Sequence, residues 1–177
     1  MEGLIAVDVQ NDFCPGGALA VPEGDAVVEP INRLARECDY VVATRDWHPA
    51  DHHSFADYGG PWPVHCVQDS PGAQLHERFD ASAIDDVVDT GQAPDHEGYS
   101  GFEHTELERL LREHGIDRVH VGGLALDYCV KETALDARRA GFDVILHRGA
   151  TRAVEVQPGD GERALAELEA AGVEIVD

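Results

Sequence analysis

The stretch Val119-His120-Val121-Gly122-Gly123-Leu124-Ala125-Leu126-Asp127-Tyr128-Cys129-Val130 decides the fold. An apolar strand over 119–122 runs into a glycine pair, where the chain can turn tightly. A helix then reads from Cys129 to Ala140 and is stopped by Gly141. The same unit recurs on either side. Leu4–Val9 reads as a buried strand, and Val27–Cys38 as a helix with Val28, Ile31, Leu34 and Ala35 on one face. Tyr40–Thr44 is a second strand, and Val87–Val88 a weaker strand signal. Thr105–His114 is a helix with Thr105 as N-cap and Glu108 at capping-box spacing. Val144–Leu146 is a strand, Gly161–Ala171 a helix and Val173–Val176 a final strand. Such alternation predicts an α/β protein of three layers: a mostly parallel sheet with helices on both faces. With no repeat, linker or low-complexity tail, residues 1–177 form one domain.

A chain of 177 residues that is 43% hydrophobic can bury a sizeable core. No apolar run approaches the roughly 18 residues of a membrane span. The N-terminus enters a strand without a basic leader, so a cytoplasmic protein is expected. Acidic residues outnumber basic ones 35 to 13, for a net charge of −22, and Lys131 is the one lysine. That charge repels nucleic acid and anionic membranes, and neither is an expected partner. The sequence leaves room for a homo-oligomer. An ordinary acidic protein would explain the charge. Adaptation to a salt-rich cytoplasm also explains the lysine depletion, because about 1 M salt screens charges beyond about 3 Å. The four cysteines, Cys14, Cys38, Cys66 and Cys129, show no zinc-finger spacing, and no disulfide framework is expected. Cys38 reads as a small buried hydrophobe.

Three groups of residues carry chemistry. Cys129 follows a strand and a small-residue turn at the expected start of a helix. There the helix dipole would lower a thiol pKa from about 8.5, and turn amides can form an oxyanion hole. A buried, inert helix-start cysteine would look the same. Asp8 closes the first strand on the same rim, where it can serve as a base or cap a neighbouring helix. The third group is Asp46, His48, His52 and His65, a carboxylate and three imidazoles in a long polar stretch over 45–81. Stretches of that length inside a compact domain are usually functional. His48 and His52 can share a helical turn that Pro49 would open, and the donor set suits Zn, Mn or Fe(II). A solvated loop is the bland reading, and His53 is an ambiguous neighbour. Phe13, Trp62 and Tyr99 lie in loops converging on the same rim, where they can sandwich a flat ring or simply pack.

Together these segments resemble the nicotinamidases and pyrazinamidases of the isochorismatase-like cysteine hydrolase family. The match runs in order through Asp8-Val9-Gln10-Asn11-Asp12-Phe13, Asp46-Trp47-His48-Pro49, Pro61-Trp62-Pro63-Val64-His65-Cys66, Gly98-Tyr99-Ser100-Gly101-Phe102 and Asp127-Tyr128-Cys129-Val130. The resemblance implies a Rossmann-like hydrolase fold and an aspartate–lysine–cysteine triad, with Asp8 as base and Cys129 as nucleophile. It implies Asp46, His48, His52 and His65 as ligands of one divalent metal, and Phe13, Trp62 and Tyr99 as the ring pocket. It also implies a cis peptide before Ala125 and an oxyanion hole from the amides of Ala125 and Cys129. Two positions depart from the family pattern. Thr90 stands where the triad lysine is found, and Leu126 replaces a common threonine.

Without the lysine, a carboxylate about 4 Å from a thiolate repels it by about 4 kcal/mol at an effective dielectric of 20. Asp8 and Cys129 can still share one proton, or an arginine, His96 or a potassium ion can fill the space. Lys131, two residues past Cys129, should point elsewhere. The expected activity is hydrolysis of nicotinamide to nicotinate and ammonia. Its rivals are a hydrolase of the same fold acting on another small amide or a vinyl ether, and a metal-binding homologue with a weakened site.

Overall fold

A computed structural model describes all residues from Met1 to Asp177. Six strands form one parallel sheet: β1 (Glu2–Val7), β2 (Tyr40–Asp46), β3 (Asp86–Thr90), β4 (Arg118–Leu124), β5 (Asp143–Arg152) and β6 (Glu174–Val176). Four helices join them: α1 (Val28–Glu37), α2 (Leu107–Glu113), α3 (Lys131–Arg139) and α4 (Asp160–Ala170).

Side chains alternate across each strand, so β1 feeds both cores. Leu4 and Ala6 pack with Val41, Ala43 and the α1 stripe of Val28, Ile31, Leu34 and Ala35. Ile5 and Val7 pack with Val42, Val119 and Val121 and with Leu107, Leu111, Ala134 and Leu165 from α2, α3 and α4. The sheet is therefore the middle of three layers, as expected. Its strand order is β3-β2-β1-β4-β5-β6, which reverses direction between β1 and β4. Ligands bind in the crevice outside the strand C-termini at such a reversal. Asp8 and Cys129 both follow strands that flank it.

Two local expectations are corrected. Thr105 is not the N-cap of α2; Glu106 holds that position. The Thr105 hydroxyl donates to the Gly101 carbonyl at 2.5 Å and accepts from the Leu107 amide, so the box with Glu108 does not form. Cys129 does not open a regular helix. Leu126–Val130 form a wide π-turn, closed by the Val130 amide donating to the Ala125 carbonyl at 3.0 Å, and α3 begins only at Lys131. One extra residue per turn lets the thiol face the crevice while Val130 and Ala134 keep to the core.

The 45–81 stretch folds as an excursion over the strand ends. Fully buried Phe55 anchors it, and isolated pairings of His48 with Val67 and Phe55 with Trp62 hold its shape. No helix is long and apolar enough to cross a membrane.

Candidate active site

Register brings Asp8 to Cys129. Val7 pairs with Gly123, and a Cβ at Gly123, whose φ is 119°, would collide with the Val7 carbonyl. Glycine thus lets the two strand ends close up, and just beyond them a carboxylate oxygen of Asp8 and the Cys129 sulfur lie within 4.8 Å of each other. Asp8 is 1% exposed and adopts a left-handed φ of 49°, a conformation that costs about 1–3 kcal/mol and concentrates at functional sites. Its Oδ1 accepts the Thr44 hydroxyl at 2.7 Å. Burial and the nearby Asp46 carboxylate push the Asp8 carboxyl well above the usual range, against the pull of Thr44 and Cys129.

Burial likewise pushes the Cys129 thiol well up, and Asp8 and Asp46 push it further. This corrects the expectation of a dipole-lowered thiol: with a π-turn in place of a helix terminus, burial and two carboxylates outweigh the backbone. The resting pair is a protonated thiol beside a carboxyl that holds protons readily. The Leu124–Ala125 peptide is cis, Ala125 lines the cavity, and its amide makes no hydrogen bond within the chain.

Asp46 lies at the end of β2. Its backbone is clamped by Gln10, whose buried amide accepts from the Asp46 N–H at 2.9 Å and donates to the Asp46 and Ala73 carbonyls at 2.8 Å each. The Asp46 Oδ2 faces His48 Nε2 at 3.2 Å and His65 Nε2 at 3.6 Å. Each imidazole is oriented from behind: His48 Nδ1 donates to the Gly91 carbonyl at 2.9 Å and His65 Nδ1 to the Pro63 carbonyl at 2.8 Å. A Cβ at Gly91, whose φ is 61°, would run into the His48 ring. With both Nδ1 atoms protonated, neutral rings turn two Nε2 lone pairs toward a carboxylate oxygen. Three acceptors so placed need a cation between them, a proton or a metal, and carbonyl-anchored histidines are the usual metal ligands. The three donor atoms lie within 4.8 Å of one another. The residues fit a divalent metal. Burial opposes charge on His48, but the Asp46 carboxylate outweighs it and raises the imidazole pKa.

His52, the fourth expected ligand, lies beside these three. Its ring stacks on His48 at 3.9 Å, its Nε2 donates to the His96 carbonyl at 2.7 Å, and its Nδ1 accepts the Ser54 amide at 3.2 Å. Both nitrogens are engaged, and the ring backs His48 rather than joining the convergence. A turn closed by the His52 amide on the Pro49 carbonyl, not a helix, sets this geometry. Burial and the neighbouring His48 push the His52 pKa down to about 4.

Thr90 ends β3 and is 2% exposed, and its hydroxyl lies 3.1 Å from Asp46 Oδ1. No lysine or arginine takes the family lysine's place. Arg45 turns away to bind Asp89 at 2.7 and 2.9 Å, Lys131 pairs with Glu132 and Glu167, and the His96 ring stacks on His104 at 4.0 Å.

The cavity over these groups offers about 440 Å³, part of it open to solvent. Cys129, Ala125, Asp46, His48 and His65 line it together with the aromatic residues Phe13, Trp62 and Tyr99. Asp8, Thr90 and His52 sit behind this lining. Trp62 Nε1 donates to the Tyr99 hydroxyl at 3.0 Å, and the Tyr128 ring meets Trp62 edge-on at 5.0 Å. Sequence reasoning missed Tyr128, Val154 and Gln10. Tyr128 was signalled by adjacency to Cys129; Val154 and Gln10 are known only from tertiary contacts.

Residues 2–177 match the isochorismatase domain model, and the chain belongs to that family of hydrolases. It is 44% identical to the nicotinamidase of Escherichia coli K12, over 97% of this chain and 92% of that protein. The pyrazinamidase of Pyrococcus horikoshii, solved in complex with zinc, superposes with a TM-score of 0.92 at 47% identity, over 99% of this chain and 98% of that one. PnC1 of L. infantum, solved with nicotinate, gives a TM-score of 0.95 at 42% identity, over 100% of this chain and 92% of that one.

Proposed function

We propose that this chain is a nicotinamidase: an amidase that hydrolyses nicotinamide to nicotinate and ammonia by cysteine nucleophilic catalysis. The observation that carries the reading is the placement of Asp8, Cys129 and Asp46, their donor atoms within 4.8 Å of one another, beneath an aromatic-walled cavity that His48 and His65 also line.

Phe13, Trp62, Tyr99 and Tyr128 hold the pyridine ring and set its carboxamide against Cys129. Asp8 takes the Cys129 proton as Sγ attacks the carboxamide carbon, forming a C–S bond. The oxyanion is held by the amides of Ala125 and Cys129. Asp8 then gives its proton to the amide nitrogen, the C–N bond breaks and ammonia leaves. Water attacks the thioester with Asp8 accepting its proton; Asp8 returns that proton to Sγ as the C–S bond breaks, which frees the Cys129 thiol and nicotinic acid, and the acid ionises to nicotinate. The raised affinity of Asp8 for protons suits this shuttle. Asp46, His48 and His65, with His52 beside them, would hold a divalent metal, Zn, Mn or Fe(II), which would supply a Lewis acid for the ring nitrogen or a water.

The test is ammonia release from nicotinamide in molar KCl, with and without Zn²⁺, Mn²⁺ or Fe²⁺, beside Cys129→Ala. The expected result is release by the wild type and loss in the variant. No release from folded protein with any of the three metals would overturn the reading.

A further inference from the structure

The end of β3 touches two of the three donors in the metal-capable set. The Gly91 carbonyl orients His48 through Nδ1 at 2.9 Å. One residue earlier, the Thr90 hydroxyl lies 3.1 Å from Asp46 Oδ1, on the opposite side of the carboxylate from the Oδ2 that faces His48 and His65. The Trp47 amide donates to the Thr90 carbonyl at 2.9 Å and ties the ends of β2 and β3 together. The Arg45 carbonyl is the other acceptor near this hydroxyl, at 3.3 Å, and Asp46 is the nearer. We propose that Thr90 is a positioning residue for the metal site: its hydroxyl holds Asp46 Oδ1, so that Oδ2 points at the space between the two imidazoles. The assignment rests on the reading of Asp46, His48 and His65 as metal ligands.

This is a different task from that of an ammonium group. A lysine in the crevice would place a charge among Asp8, Asp46 and Cys129, whose donor atoms lie within 4.8 Å of one another. Thr90 brings no charge, and its hydroxyl contacts Asp46 and the Arg45 backbone, not Asp8. Asp8 receives its own hydroxyl, from Thr44. The two carboxylates are thus steered separately, each by a threonine of a neighbouring strand. Gln10 fixes the Asp46 backbone, which leaves rotation of the carboxylate as the freedom that Thr90 removes.

The test is zinc affinity of the full-length protein, freed of metal and titrated in competition with a chromogenic chelator. Thr90→Val keeps the β-branched shape and removes the hydroxyl; Thr90→Ser keeps the hydroxyl. Removing a partner behind a metal ligand costs about 10–100-fold in affinity, so that loss is expected for Thr90→Val. Thr90→Ser is expected within about threefold of wild type, a rescue that lost packing alone would not give. His48→Ala, which removes a ligand, marks the level of binding outside the site. Wild-type affinity in Thr90→Val, with wild-type binding abolished by His48→Ala, would overturn the assignment and leave the metal site standing. Equal losses in the Val and Ser variants would also overturn it, as a packing effect. Absence of zinc binding at this site in the wild type would overturn the metal-site reading and the assignment with it.

Discussion

Asp8 and Cys129 meet because their strands pair at Val7 and Gly123 and diverge just after. Both groups are buried and both hold protons more tightly than usual; Asp8 helps push the thiol up, whereas Cys129 pulls the Asp8 carboxyl the other way. A carboxyl placed in this way costs the fold stability once it ionises. Burial and Asp46 raise the folded Asp8 pKa above its unfolded value of about 3.9. The stability carried by protonated Asp8 is complete below that value and is lost as pH rises through the folded one. Asp8→Asn escapes this loss and tolerates the left-handed backbone. In metal-free protein its Tm is expected to match wild type near pH 4 and exceed it at pH 8 by at least ~3 °C, the response to ~1 kcal/mol in a chain of this size. Activity is expected to vanish. A variant equal to or less stable than wild type at pH 8 would count against the buried charge.

The Cys129 thiol makes a second pH prediction. With burial, Asp8 and Asp46 all opposing ionisation, alkylation of the metal-free protein by iodoacetamide is expected to climb still above pH 9. In Asp8→Asn the climb should begin at lower pH. A plateau near pH 7 in the wild type would mean that the thiol is activated by something other than these groups.

Asp127 ties the turn that carries Cys129 to the cavity wall. Its carboxylate accepts the Val154 amide at 2.9 Å and the Glu155 amide at 3.0 Å, and the Glu155 side chain in turn accepts from the Gly159 and Gly161 amides at the start of α4. Asp127→Asn turns one of those acceptors into a donor facing an N–H. Misplacement of a reacting group by about 1 Å can cost ~100-fold, so kcat is expected to fall by at least ~10-fold. Unchanged kcat in the variant would mean that the turn holds its shape without this carboxylate.

The acidic surface predicts a salt response. At a net charge of −22, repulsion opposes compaction, and screening relieves it. Tm is expected to rise steadily from 0.1 to 2 M KCl. Full folding and activity without added salt would remove the case for salt adaptation, and so would a falling Tm.

Much of the fold was legible in the sequence. The β-branched runs and the α1 stripe predicted the sheet and its helices, because burying one face imposes a period that composition reveals. The weak Val87–Val88 signal became β3, though only Val88 of the pair is buried. Element ends were less legible. Thr105 lost its cap role to a tertiary bond with Gly101, and Cys129 entered a π-turn that no local pattern distinguishes from a helix start.

The site divides the same way. Asp46, His48 and His65, and the aromatic residues Phe13, Trp62 and Tyr99, were nameable from residue type and clustering, because metal-binding and ring-holding side chains are chemically distinctive. Which histidine turns inward was not. His52 is as good a ligand as His48 by type, and only the carbonyls of Gly91, Pro63 and His96 decide where each ring points. The thiol's proton affinity was misjudged for a related reason: a helix dipole is local, whereas burial and the charges of Asp8 and Asp46 arrive from other strands. By itself the sequence determined which chemistry this protein carries and on which rim of the sheet. The tertiary structure alone decided how those groups are aimed and how tightly each holds its proton, because both depend on distances between segments far apart in the chain.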